Sequence, residues 1–93
     1  MDIEFDEEKR RQTLEHRGLD FADAVLVFEG PELTSVDDRE DYGEDRLQTV
    51  GLLNGRLVMV IWTRRGETRR IISMRKCNDR ERRKFRELLD RSG

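Results

Sequence analysis

The sequence is poor in the residues that most often do chemistry or cross-link small proteins. Cys77 is the only cysteine of the 93 residues, so neither an internal disulfide nor a thiolate zinc site can be built, and a single unpaired thiol fits a reducing compartment. Without a base in reach, Cys77 reads as a filler at a strand-to-helix junction and not as a nucleophile. His16 is the only histidine, which excludes a two-histidine metal site and a paired-imidazole nuclease. Pro31 is the only proline. Aromatic residues make up 6%, leaving Trp62 and Tyr42 as the candidates for base stacking; Trp62 lies inside an apolar run and reads as core, and Tyr42 in a polar loop is the better candidate. No apolar run approaches the roughly 20 residues of a membrane span, and the N-terminus carries no secretory pattern. These absences point to a cytoplasmic protein that uses no metal and no cofactor and does not engage membrane.

Charge is what the sequence has in excess. Charged residues account for 43% and apolar ones for 34%, so the core must be thin and drawn from FADAVLVF, LVMVIW and RIISM. The net charge of −2 conceals an asymmetry: residues 1–46 hold 16 acids against 6 cations, and residues 47–93 hold 5 against 13. A basic second half can attract a polyanion while the acidic first half keeps the whole near neutral, or the two halves can neutralise each other through internal ion pairs.

Local patterns lay out one domain over residues 1–93. Ile3 to Phe5 is a short apolar lead-in. Asp6 caps a helix with acids in its first turn that runs to about Arg17, with Leu14 its one strong apolar anchor, and Gly18 stops it. Asp20 caps a second helix, Phe21 to about Glu29, with Phe21, Ala24, Val25 and Phe28 at helical spacing; Gly30-Pro31 ends it. Four strands follow at Leu33–Val36, Leu47–Leu53, Arg56–Arg64 and Thr68–Lys76, separated by an acidic loop, the hairpin turn Asn54-Gly55, and Arg65-Gly66-Glu67. Asn78 and Glu81 have capping-box spacing ahead of a last helix with Phe85, Leu88 and Leu89 on one stripe. The expected fold is α+β: a small antiparallel four-stranded sheet with two N-terminal helices and one C-terminal helix.

Arginine is the residue type left to carry chemistry. Alternation in RRIISMRK puts Arg69, Ile71, Ser73 and Arg75 on one face and Arg70, Ile72, Met74 and Lys76 on the other. Such cations either snorkel to the sheet edges and hold carboxylates, or open into a cleft where guanidinium groups grip a phosphate and stabilise charge during phosphoryl transfer. The last helix adds Arg82 and Arg83 among 6 cations and 4 acids from residue 78 onward, a count that separates a solvated face from a phosphate-contacting element in neither direction. The acids of the 37–45 loop follow none of the spacings of a calcium loop.

The order of several segments resembles the BrnT family of toxins from type II toxin–antitoxin pairs: FDEEKRRQTL at 5–14, GLDFADAVLVF at 18–28, DDREDYGEDR at 37–46, TRRG at 63–66, and RRIISMRK followed by ER at 81–82. The resemblance implies a RelE-like fold and a ribonuclease that cleaves RNA without metal and inhibits translation. It also implies a BrnA-type antitoxin that neutralises the toxin and links it, indirectly, to DNA. Carried onto this chain, it implicates Arg75 first, then Arg70, Lys76 and Arg46, as catalytic cations; Arg64, Arg69, Arg82 and Arg83 are the candidate RNA contacts. His16-Arg17-Gly18 stands where the family often has Lys-His-Gly; the displacement turns the imidazole by about 100° around a helix, so His16 is not expected to be the general base. Glu44 and Lys76 are the remaining acid–base candidates. The alternative reading is a noncatalytic or degenerate toxin-like module that binds an antitoxin or RNA. An edge strand able to pair with its own copy leaves a homodimer open.

Overall fold

The run LVMVIWT places apolar side chains on both faces of one strand, which suits a strand buried on two sides. In the computed structural model, which describes residues 1–39, 41 and 43–92 with the last four by backbone alone, that strand is the middle of a five-stranded sheet. The elements in chain order are β1 (Ile3–Phe5), α1 (Glu7–Arg17), a 3₁₀ turn (Phe21–Asp23), α2 (Ala24–Glu29), β2 (Glu32–Asp37), β3 (Arg46–Leu53), β4 (Arg56–Arg65), β5 (Thr68–Lys76) and α3 (Asp79–Ser92). The strand order is β1-β5-β4-β3-β2.

The expected antiparallel meander is present as β2 to β5, but the sheet is mixed and has five strands. Ile3–Phe5 is itself a strand and pairs parallel to Arg69–Ile71 of β5. Three residues carry too little periodicity to announce a strand, and their partner lies more than 60 positions away. Because β1 is so short, the rest of β5 would be an open edge; α1 lies along it, and Arg17 donates to the Met74 carbonyl at 2.7 Å, occupying an edge acceptor. The second helix is also shorter than its spacing suggests. Asp20 caps a 3₁₀ turn at Phe21–Asp23, accepting from the Ala22 amide, and the α-helix begins at Ala24. Phe21, Ala24, Val27 and Phe28 are buried, with Val27 taking the place expected of Val25.

Two apolar layers result. Leu19, Phe21, Ala24, Val27 and Phe28 cover one face of the sheet against Val58, Val60, Trp62, Ile71 and Met74. On the other face, Phe85 of α3 packs with Leu57, Met59, Ile61 and Cys77. Burial of a Phe or Leu side chain stabilises by about 1.5–3 kcal/mol, and these two clusters supply most of what so charged a chain can collect. α1 contributes no buried residue; Leu14 is exposed. That helix is attached instead by Arg10, which donates to Asp20 at 2.8 and 3.2 Å and lies over the Phe5 ring. Leu88 is 37% exposed, and the expectation for Leu89 falls outside the described side chains.

A β-bulge in β5 corrects the strict alternation expected of RRIISMRK. Ile61 pairs with Ser73 but Trp62 with Ile71, so Ile72 is an extra residue. Ile71 and Met74 therefore join the same buried layer, and Ile72 packs toward the α3 face. The bulge brings Arg70 and Arg75 onto one face and sends Arg69 and Lys76 to the other.

Candidate active site

Paired residues on adjacent strands share a face, so the registers locate the arginines. Asp37 pairs with Arg46, Arg46 with Thr63, Thr63 with Arg70, and Arg70 with Glu4. One row thus crosses all five strands on the α3 face: acid, cation, hydroxyl, cation, acid. Neighbouring strands lie about 4.8 Å apart, so the backbones of Arg46 and Arg70 are roughly 10 Å apart, within the span that two guanidinium side chains cover by converging on one phosphate. Thr63 between them is buried and donates to the Asp45 carbonyl at 2.7 Å, which ties the acidic loop to the row.

The acids around the row are not equivalent. Asp37 is fully buried as a side chain and takes Arg39 in two hydrogen bonds of 2.7 and 2.9 Å. Those bonds hold its carboxyl below the usual range, so Asp37 stays an anion. Glu44 lies 3.8 Å from Arg46 and 3.3 Å from Arg65, and Glu4 lies 3.7 Å from Arg70. Glu4 and Glu44 are each about a third or more exposed, and such long surface ion pairs contribute at most about 1 kcal/mol. A phosphate arriving beside Arg70 displaces little.

The other cations fall elsewhere. Arg75 lies on the same face at the end covered by α3, where both oxygens of Glu81 accept from it at 2.7 Å and the Met59 sulfur stands at 3.3 Å. That fork lowers the Glu81 carboxyl to about 2 and raises the Arg75 guanidinium. Glu81 was legible in the sequence as half of a capping box, and it makes that box, with Asn78 N–H donating to Glu81 at 2.9 Å and Glu81 N–H to Asn78 at 2.8 Å. Its grip on Arg75 had no local signal. Lys76 is exposed at the end of β5 on the opposite face. Arg64 and Arg69 are also on that opposite face, lying over Trp62 at 5.3 and 4.3 Å, with Arg69 over Phe28 at 4.5 Å. Arg82 donates to the Cys77 carbonyl and pairs with Asp79, and Arg83 is exposed on α3.

Trp62 is core, as its setting in the sequence suggested: it is 1% exposed, and its indole N–H donates to Thr49 at 2.8 Å. Tyr42 lies outside the described residues. Cys77 is buried, and burial pushes its thiol up, the opposite of what activates a nucleophile. His16 lines a shallow hollow with Lys9, Arg17 and Ser73 beside β5. Thr63, Glu4 and Asp37 were not legible as members of a site, because only the cross-strand register brings them beside the arginines.

Residues 5–81 match the family model of the ribonuclease toxin BrnT of type II toxin–antitoxin systems. The chain belongs to the BrnT family. The matched segment contains the whole transverse row except Glu4, and it ends on Glu81, the residue that holds Arg75. BrnT proteins are ribonuclease toxins whose type II systems supply a protein antitoxin as partner. None of the curated proteins compared with the chain matches it in sequence. Among the described residues no helix is long and apolar enough to cross a membrane.

Proposed function

We propose that this chain is a metal-independent endoribonuclease, a single RelE-like toxin domain that acts in the cytoplasm, arrests translation by cutting RNA, and is neutralised by a BrnA-type antitoxin. The observation that carries the reading is the row in which Arg46 and Arg70 flank Thr63 on one face of the sheet. In the reaction, the ribose 2′-oxygen attacks the adjacent phosphorus and the bond to the 5′-oxygen breaks, leaving a 2′,3′-cyclic phosphate and a 5′-hydroxyl. Two guanidinium groups supply donors and positive charge where the phosphorane gathers negative charge. In this scheme Glu44, beside Arg46 and Arg65, takes the 2′-hydroxyl proton, and solvent water gives the departing 5′-oxygen the proton it needs. Lys76 is on the other face and takes no part in this scheme. Arg75, occupied by Glu81, serves as a second-rank phosphate contact on the same face.

The test is cleavage of a labelled RNA in excess chelator by the wild type, Arg46→Ala, Arg70→Ala and Arg75→Ala, each checked for an unchanged far-UV spectrum. Removing one such donor costs about 10²- to 10³-fold for Arg46 and Arg70, and less for Arg75. Full activity in Arg70→Ala, or loss of wild-type activity on chelation, overturns the scheme.

A further inference from the structure

At the end of the sheet remote from the Arg46–Arg70 row, the β3–β4 hairpin, the end of β5 and α3 enclose a groove of about 410 Å³. Three different elements line it with Arg56, Lys76, Arg82 and Arg86, and among the described residues no carboxylate does so. Arg82 and Arg86 stand one helical turn apart on the same side of α3. Arg82 is engaged by Asp79 and the Cys77 carbonyl, whereas Arg56, Lys76 and Arg86 form no ion pair among the described residues. The groove's floor is apolar, made by Leu57 and Phe85, and Leu52 at its rim is 41% exposed.

We propose that this groove receives an acidic protein segment in which carboxylates flank a bulky apolar side chain, and that the segment belongs to the antitoxin. The second half of that statement rests on the toxin–antitoxin reading above. The cations set the sign of the partner, and the apolar floor sets its kind. A nucleic acid would meet the cations with its phosphates, but Phe85 is 4% exposed and offers no face for a base to stack on. An aliphatic or aromatic side chain entering the groove would instead gain the usual return for leaving water, about 25 cal/mol per Å².

A second copy of the chain is the other source of acids, and the fold argues against it. The acids of residues 37–45 precede β3 at Arg46, whereas the groove lies by its far end at Leu53, roughly 25 Å away. Docking that loop into the groove of another copy is a head-to-tail contact, which builds open chains unless the rotation closes a ring.

The experiment uses the protein encoded by the reading frame adjacent to the gene for this chain as the probe. Its affinity is measured for the wild type and for R56E/R86E, two exposed positions outside the row, at low and physiological salt. A 2′-O-methyl oligoribonucleotide is the competing probe. The proposal expects R56E/R86E to weaken the protein complex tenfold or more, through loss of complementary charge, with the melting curve unchanged; R56Q/R86Q, which adds no new charge, shows a smaller loss in the same direction. Unchanged protein affinity overturns the proposal, and if oligoribonucleotide binding falls at the same time the groove is an RNA site. If the wild type forms no complex, the partner reading fails and takes the antitoxin assignment with it.

Discussion

Replacing Glu81 by Gln isolates the charge that holds α3 to the sheet. The amide keeps an oxygen able to accept from Asn78 N–H, so the capping box survives, but one of the two oxygens that receive Arg75 becomes an NH₂ group. The Glu81 carboxyl lies at about 2 in the folded protein against an ordinary 4.5, chiefly through the hydrogen bonds from Arg75. Taken at face value that difference is about 3 kcal/mol. Arg75 is 37% exposed and Glu81 24%, so solvent screening reduces it to about 1–2 kcal/mol.

Because the folded value is depressed, this stabilisation is complete above the unfolded pKa near 4.5 and is lost as pH falls toward 2. Urea unfolding followed by Trp62 fluorescence therefore separates wild type from Glu81→Gln by about 1–2 kcal/mol at pH 7, which corresponds to roughly 4–16 °C in Tm for a chain of this size. The gap closes between pH 5 and 2. A double-mutant cycle with Arg75→Ala assigns the difference to the pair. A coupling below about 0.3 kcal/mol at pH 7, or a gap that does not change between pH 5 and 2, refutes the reasoning.

Three further perturbations test the packing. Gly51→Ala in β3 places a Cβ 2.8 Å from a Val27 methyl and within 3.3 Å of two backbone oxygens, so α2 must shift away from the sheet; the expected loss is about 1–3 kcal/mol, read by denaturant unfolding. Thr49→Val removes the acceptor of the Trp62 indole N–H and the Thr34 hydroxyl contact, leaving a buried donor unpaired at a cost of about 1–3 kcal/mol, with a changed Trp62 emission as its optical signature. Gly55→Ala, at φ 80° in the β3–β4 turn, costs about 1 kcal/mol through left-handed strain, and a melting temperature equal to the wild type would contradict the turn geometry.

Local chemistry in the chain decided much of this protein. Asp6 and Gly18 bound α1 as capping rules require, with Asp6 accepting from the Glu8 and Lys9 amides and Gly18 left-handed at φ 69°. Asn54-Gly55 makes its hairpin with both residues at positive φ. The β2–β5 meander followed from apolar runs punctuated by turn residues, and Asn78-x-x-Glu81 opened α3. These features are set within a few residues, so a sequence can carry them. The tertiary structure decided what depends on partners far along the chain. Three residues at the N-terminus became a strand because β5 had an open edge for them. One bulge at Ile72 reversed which arginines share a face, pairing Arg70 with the side that holds Arg46 and Thr63 and leaving Lys76 on the other. Glu81, a cap by its spacing, became the counter-ion of Arg75 because the turn into α3 folds it back against β5. The arginines were legible in the sequence as the candidates for the chemistry of this chain. Which of them stand together is a property of strand register, and register is settled by what the whole sheet buries.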